Sequence, residues 1–371
     1  MDVKLIKVFD RMVLPPICAI LGLYSKIFPE KLKTGKKKIL IIKLWALGDS
    51  VISLPMIHCL KKNFPDSKID VLAHKKNIEV YYANKDINET IEFNLRSVMG
   101  LLRKYDLCID TENYLNISSL ISWWSGKYRV GYSHGIRHLL YSKTSKLNLT
   151  NHMVQNFLDM IRAIGVNCDA EKLVRLETTK EEKSAVSHFL KENKISKKDL
   201  VVGITSGVSE TARARIWPVE RMAKLADKII EKYNVKVILI DSPSNKDIVD
   251  KIAALMKNKP IIAMGNLKIR QVFSLIERCD FFISNDTGPM HIAAAQGVKT
   301  IGIFGPNTPK LWGPYGKGNV AIYHPPKCSP CTDHTTGKLP ECFNKNYQEC
   351  VKNVGVNEVF NAFEKIYNMR K

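Results

Sequence analysis

Three short stretches hold residue types that could do chemistry at a turn. In KLWALGDSV (43–51) an apolar run ends, Gly48 permits a tight turn, and Asp49 follows just ahead of a helix-like segment. A carboxylate there can accept a proton from a hydroxyl; the same residue type also caps helices. In TSGVSETARARIWP (205–218), Thr205, Ser206 and Gly207 close another apolar run, and Arg213 and Arg215 precede Trp217-Pro218. Small residues let backbone and hydroxyls approach a phosphate, and guanidinium suits a diphosphate because it offers forked donors and keeps its charge; a solvated loop with surface arginines is the plainer alternative.

The third stretch, SNDTGPMHIAAAQG (284–297), follows the apolar CDFFI. It reads as strand, tight polar turn and short helix, with Pro289 in the first turn and Gly297 at the stop. Helix amino ends favour anions. Asp286, Thr287 and Gly288 are therefore candidates for a phosphate turn, with the amides of Gly288, Met290 and His291 facing a ligand. With Arg215 they could hold a diphosphate without a bound metal. Asp286 or Thr287 capping an ordinary helix is the alternative, and His291 could equally pack beneath the turn.

The elements that must position these turns alternate in type. KKILIIK (37–43), KIDVLAH (68–74), TIEFN (90–94), YDLCID (105–110) and RVGY (129–132) predict strands, with SVISLPMIHCLKKNF (50–64) and HMVQNFLDMIRAIG (152–165) as helices. After a polar, lysine-rich interval the pattern restarts. LVVGITSG (200–207), KVILID (236–241), PIIAM (260–264), DFFIS (280–284) and KTIGIFG (299–305) predict strands, and WPVERMAKLADKIIEKY (217–233) a helix. The expected fold class is α/β: two Rossmann-like α/β domains facing a central cleft, with ligands beyond the carboxyl ends of the strands. The expected division is an N-terminal amphipathic, basic segment (1–36), a first domain (37–170), a linker (171–198) and a second domain (199–371).

Composition narrows the function classes. A chain of 371 residues, 45% hydrophobic and 25% charged, is an ordinary folded protein and not a disordered one. Its formal net charge of +21 implies an anionic partner: phosphorylated substrate, membrane surface or nucleic acid. No zinc-finger or RNA-binding signature accompanies the charge, so nucleic acid is the weaker reading. The apolar patch MVLPPICAILGLY is too short to span a bilayer and carries Pro15 and Pro16. Flanked by Lys4, Lys7, Arg11, Lys26 and the run KLKTGKKK, it reads as an interfacial anchor, or as a helix packed on the protein itself.

Cys18, Cys59, Cys108, Cys168 and Cys279 fall singly in apolar contexts, which suits buried thiols in a reducing cytosol. Cys328, Cys331, Cys342 and Cys350 form a separate group. CxxC followed by two more cysteines could hold structural zinc or act as a redox clip, and free thiols are the alternative.

The ordered set LGDSV, RIWP and SNDTGPMHIAAAQGVKTIGIFGPNTPKLWGPYG resembles the family 9 glycosyltransferases, whose best-known members are ADP-heptose:lipopolysaccharide heptosyltransferases. The similarity spans about residues 37–365. It implies a GT-B fold, with acceptor on the first domain and nucleotide-sugar on the second, and inversion at the anomeric carbon without a required metal. Carried over by position, Asp49 is the general base. Ser206, Gly207, Arg215 (often lysine in the family), Asp286, Thr287 and Gly288 face the donor phosphates. Leu267 walls the nucleobase, and Met290 and His291 are further donor contacts. Where many members carry a Gly-Gly-Pro-Gly-Glu-like turn whose glutamate approaches the ribose, this chain reads DSPSNKD, with Asn245 at that place; asparagine can still bond ribose hydroxyls. Related proteins often carry cysteines near the C-terminus too.

The expected function is an inverting transferase, cytoplasmic and peripheral on the inner face of the membrane, moving heptose from an ADP-sugar to an anionic lipid-linked saccharide. Two alternatives differ in class. A GT-B sugar-nucleotide epimerase would turn over donor without acceptor. A non-catalytic polyanion- or membrane-binding module would show salt-dependent binding and no catalytic role for Asp49.

Overall fold

The computed structural model describes residues 9–32, 35, 37–337 and 341–370. The chain divides into two compact units, Met1–Ala170 with Asp333–Gly337, and Glu171–Thr332 with Lys338–Lys371. The lysine-rich interval 171–198 thus belongs to the second unit. Its helix Lys180–Glu192 opens on a Thr179–Glu182 capping box, and Glu182 pairs with Arg270 at 2.5 Å. Residues Asp333–Gly337, from the sequence's second half, belong to the first unit.

In the first unit, β1 (Lys38–Lys43), β2 (Lys68–Ala73), β3 (Glu89–Glu92), β4 (Tyr105–Asp110), β5 (Gly126–Tyr132) and β6 (Lys143–Ser145) form one sheet in the order β3-β2-β1-β4-β5-β6. Every pairing is parallel, with Lys43 opposite Ala73 and Ile42 opposite Asp110. After its first residue β1 is buried throughout, as a central strand covered on both faces must be. That is why KILIIK reads as a continuous apolar run rather than an alternating one.

The second unit repeats the plan. Its strands are β7 (Val201–Thr205), β8 (Lys236–Asp241), β9 (Ile261–Met264), β10 (Phe281–Asn285), β11 (Lys299–Phe304) and β12 (Val320–Tyr323), ordered β12-β11-β10-β7-β8-β9, again all parallel. The first sheet as written, and the second read from its other edge, both have the 3-2-1-4-5-6 order of nucleotide-binding sheets. Trp217, fully buried, anchors the second core and donates its indole N–H to the Val354 carbonyl at 3.0 Å. The helix Val356–Asn368 closes that core with Phe363 edge-on to Phe281 and Tyr233.

In such sheets the loops diverge where the strand order reverses, and ligands bind there beyond the carboxyl ends. The reversal falls between β1 and β4 in the first unit and between β7 and β10 in the second. The three stretches singled out by residue type all emerge at those two points.

The cysteines differ from expectation in one pair. Cys59, on the helix Leu47–Asn63, is disulfide-bonded to Cys168, 109 residues away, because that helix packs on Met153–Arg162 and its following loop. Their Cα atoms lie 6.0 Å apart, within bridging range. Cys18, Cys108 and Cys279 are buried and free, as expected. Among the described residues no helix is long and apolar enough to cross a membrane.

Candidate functional site

At the end of β1 the backbone turns at Ala46 (φ 65°, ψ 121°), a conformation an L-residue adopts only under constraint, at a cost of roughly 1–3 kcal/mol. The sequence suggested that Gly48 makes the turn and that Asp49 precedes the helix. Instead the helix begins at Leu47 and Asp49 lies in its first turn. What constrains Ala46 is local. The amides of Leu44 and Trp45 donate to Glu112 Oε1 at 2.7 and 3.1 Å, and the Ser50 amide and hydroxyl both donate to the Ala46 carbonyl at 3.1 Å.

Glu112, just beyond β4, also takes the Lys43 ammonium at 3.2 Å, and Asp49 Oδ2 lies 3.6 Å from the same nitrogen. Lys43 and Glu112 are buried, whereas the Asp49 side chain is 25% exposed. Burial works against the charge on Lys43, but Glu112 and then Asp49 more than offset it, and the ammonium titrates above the ordinary lysine range. The result is a buried cation with one buried and one accessible carboxylate, the accessible one on a helix amino end. Such a carboxylate is oriented and water-accessible, which suits proton abstraction from a bound hydroxyl.

A further layer fixes Glu112. Its amide donates to Asp110 Oδ1 at 3.1 Å, and the other Asp110 oxygen accepts from Arg137, Tyr141 and Ser118 at 2.7, 2.7 and 2.8 Å. Burial raises the Asp110 carboxyl above the usual carboxylate range even against these donors.

In the second unit, Ser206 and Gly207 leave β7 as expected, but their amides donate to Asp241 Oδ2 at 3.2 and 2.6 Å. Those two N–H groups are thereby committed to a protein carboxylate. Asn245 donates to the other Asp241 oxygen at 2.8 Å, and a Cβ on Gly207 would meet Asn245 Nδ2 at 2.2 Å, so any larger residue there would displace the Asn245–Asp241 pair. Arg215, at the end of the 3₁₀ turn Glu210–Arg215, reaches the Asp286 carbonyl and carboxylate, both at 3.3 Å. Asn307 holds the same carboxylate at 2.5 Å, and Asn285 donates to the Ser206 carbonyl at 2.6 Å. Arg215 is thus pinned by an acid, which makes Asp286 its positioning partner.

The helix Gly288–Ala295 begins where the sequence placed it, with Pro289 in its first turn, Thr287 at the N-cap without a side-chain cap bond, and Gly297 at φ +80° beyond its end. The Met290 amide donates to the Thr287 carbonyl at 3.2 Å, and its fully buried side chain packs on β11, where a Cβ on Gly302 would meet its sulfur at 2.6 Å. The Met290 side chain therefore belongs to the core. His291 is buried in the same turn, and Leu267 is half-buried in the turn after β9.

Four buried polar atoms in this cluster have no protein partner: Ser206 Oγ, Arg215 Nε, Asn245 Oδ1 and Asn307 Oδ1. Buried polar groups are normally paired; here the Ser206 hydroxyl and the Arg215 Nε–H can donate to an anion, and the Asn245 and Asn307 amide oxygens can accept from ligand hydroxyls.

Cys328, Cys331, Cys342 and Cys350 do line one small pocket. Yet among the described residues no three His, Cys, Asp or Glu side chains are arranged to hold a metal, and all four cysteines are free thiols. Two of the sulfurs are turned to other partners: Cys328 accepts from Asn344 at 3.3 Å and Cys342 from the Gln348 amide at 3.1 Å. Burial pushes the Cys350 thiol up to about 11. The structural-zinc expectation is corrected accordingly.

Sequence reading missed Lys43, Glu112, Asp241, Asn285 and Asn307 as working residues. Each is a polar residue placed at or just past the end of a buried strand, and that position was the available signal.

The family model for "Glycosyltransferase family 9 (heptosyltransferase)" matches residues 95–340. Lipopolysaccharide core heptosyltransferase OpsX of Haemophilus influenzae is 23% identical over 303 residues, 77% of this chain and 85% of that protein. Lipopolysaccharide heptosyltransferase 3 of Escherichia coli is 25% identical over 302 residues, 74% of this chain and 85% of its own length. Among solved structures, a family 9 glycosyl transferase from Veillonella parvula superposes with TM-score 0.77 at 23% identity, covering 91% of this chain and 99% of that one. The ADP-heptose lipopolysaccharide heptosyltransferase II of E. coli gives 0.72 at 20%, covering 90% and 99%.

The buried pair in the first unit generates a prediction. Glu112→Gln leaves the Lys43 ammonium buried without its main counter-charge and should cost about 3–5 kcal/mol in equilibrium urea unfolding. Adding Lys43→Met in the same chain should recover most of that loss; full additivity of the two changes would show that the pair does not interact.

Proposed function

The chain belongs to glycosyltransferase family 9, and from that premise we propose that it transfers heptose from an ADP-sugar to a lipid-linked saccharide of the lipopolysaccharide inner-core type, with inversion. It is a glycosyltransferase with the GT-B fold class. The heptosyl group and the acceptor are taken from the curated relatives, lipopolysaccharide heptosyltransferases, and the ADP from the solved E. coli ADP-heptose lipopolysaccharide heptosyltransferase II. The single observation in this chain that supports the donor reading is the pair of buried donors without a protein partner, the Ser206 hydroxyl and the Arg215 Nε–H, together with the unpartnered amide oxygens of Asn245 and Asn307, which can accept from sugar hydroxyls.

The roles divide between the units. In the first, Asp49 takes the proton from the acceptor hydroxyl, a contribution of typically 10²–10⁴-fold. Lys43 orients that carboxylate and balances its charge. The freed oxygen attacks C1 of the sugar, and the bond from C1 to the phosphate oxygen breaks with its electron pair on the leaving ADP. In the second unit, Arg215, the Ser206 hydroxyl and the amino end of the helix Gly288–Ala295, at Thr287 and Gly288, take up that charge. Gly207 lets the chain pass Asn245. Asn245 and Leu267 contact the nucleoside, the first by its amide oxygen on ribose and the second by apolar contact with the base. Asp286 acts through Arg215 by fixing its direction.

An anionic acceptor suits a chain of formal charge +21, and a lipid-linked one suits an enzyme working at the inner face of the cytoplasmic membrane. Family membership weighs against both the epimerase and the non-catalytic binding module.

Two outcomes follow. ADP at a hundred times its dissociation constant should stabilise the wild type by about 2.7 kcal/mol, read as a rise in unfolding temperature. UDP, GDP and CDP should do much less, and Arg215→Ala should lose most of the ADP effect. Stabilisation by another nucleotide would keep the fold and displace the donor. Asp49→Asn should lower kcat by roughly 10²–10⁴-fold while leaving the ADP-induced rise intact; an active Asp49→Asn enzyme would remove the carboxylate from the mechanism.

A further inference from the structure

The helix Leu14–Ile27 meets the first unit along one face only. Leu14 and Cys18 are buried, a Cβ on Gly22 would come within 2.4 Å of Leu139 Cβ, and Ser25 accepts from the Trp123 indole at 2.9 Å. The remaining faces carry large apolar side chains in solvent. Ile17, Ile20, Leu23, Tyr24, Ile27 and Phe28 are all exposed, Ile20 by 68% and Ile27 by 70%. No charged residue occurs between Arg11 and Lys26. A helix that packs one face on its own protein and meets water on the other normally carries charge there; this one does not.

A second element, which sequence reading passed over, shows the same inversion. On the short helix Leu95–Met99 and the turn after it, Leu95 is 78% exposed, and Met99 and Leu102 are exposed as well. The two elements are tied together. Arg103 pairs with Glu30, the Arg103 amide donates to the Trp124 carbonyl at 2.9 Å, and the Trp124 indole donates to the Val98 carbonyl at 3.0 Å. The neighbouring Trp123 ring stands edge-on to Tyr24, centroids 6.4 Å apart. Two tryptophans therefore bridge two exposed apolar elements of one unit.

Beside the second element lies an open cavity of about 630 Å³ whose lining includes Lys38, Lys68, Arg96 and Lys104, with Asp70 and Glu89 as its acids. Asp70 is already taken by Asn88 at 2.7 Å and Tyr105 at 2.9 Å. Cations thus outnumber the available acid next to Leu95 and Met99, and Lys26 and Lys31 add charge at the end of the longer helix.

We propose that these two elements form one docking surface for an anionic lipid bilayer: the outer face of Leu14–Ile27 and the side chains of Leu95, Met99 and Leu102 enter the headgroup–acyl boundary, while Lys38, Lys68, Arg96 and Lys104 take lipid phosphates. Apolar side chains rimmed by lysine and arginine match the chemistry of that boundary. The inference deepens the reading of a lipid-linked acceptor and rests on it for its purpose: the unit assigned to the acceptor is the unit that holds the membrane.

The test is co-sedimentation of the full chain with vesicles of phosphatidylglycerol and phosphatidylcholine, compared with phosphatidylcholine alone. Two variants, Ile20→Glu with Leu23→Glu and Leu95→Glu with Met99→Glu, alter exposed side chains and should unfold at the wild-type temperature. Wild type should partition at least about tenfold more strongly to the anionic vesicles, in a salt-sensitive way, and each glutamate pair should lower that partition by roughly tenfold or more. Failure of the wild type to bind anionic vesicles overturns the proposal, as does a Leu95/Met99 variant that binds like wild type. So does a stable dimer that both variants dissociate, because the apolar face is then an interface between copies. ADP-induced stabilisation, measured on the same samples, should be unchanged in every variant; its absence from the wild type would count against the donor reading and leave the docking result standing on its own.

Discussion

The ion pair between Lys43 and Glu112 is the constraint on which the first unit's chemistry depends. It forms where the strand order reverses, one partner from the end of β1 and the other from just past β4. Glu112 does three things with one oxygen: it balances the buried ammonium and accepts two amides of the turn that leads to Asp49. Removing it would free the turn at Ala46 and leave the buried Lys43 ammonium to Asp49. The pair itself stands on a deeper one, Asp110 with Arg137, through the amide of Glu112. Buried charges of this kind contribute little net stability and much geometric definition. That is the property a proton acceptor on a helix end requires.

The second unit solves the mirror problem with the signs exchanged. There the working group is a cation, Arg215, and the carboxylate of Asp286 fixes it, steadied in turn by Asn307. Asp241 plays the part of Glu112: a carboxylate that accepts the amides of the turn after the first central strand. Two sheets with one strand order thus present an oriented anion in one unit and an oriented cation in the other. This is the division of labour that group transfer from a diphosphate needs, with base strength on the acceptor side and positive charge on the leaving-group side.

Much of this was legible in the sequence, and what was not has physical reasons. The strand–turn–helix at 281–297 could be read because aromatic burial, Pro289 in a first turn and Gly297 at a left-handed stop are all local signals. The start of the helix at Leu47 could not, because Ala46 takes the positive φ that propensity assigns to Gly48, and part of what holds the turn there is Glu112, more than sixty residues away. Asp49, Arg215 and Asp286 were singled out as residue types at strand ends; Asn307 was not, because its bond to Asp286 joins the ends of neighbouring strands and leaves no mark on spacing. Met290 stood in a promising run and turned into the core, since a helix start fixes the backbone of a residue and not its direction. Cysteine spacing misled twice for the same reason. It grouped four thiols that share a pocket without converging on a metal, and it gave no sign that Cys59 and Cys168 meet.

Stereochemical analysis of the product tests the central claim most directly: purified full-length chain, ADP-heptose and a heptose-deficient lipopolysaccharide core, with ADP release and product configuration followed by NMR. The account predicts that ADP appears only when acceptor is present, one for each heptosyl unit gained, and that the new linkage has the anomeric configuration opposite to the donor's. Donor turnover without acceptor, or a linkage of retained configuration, would contradict it.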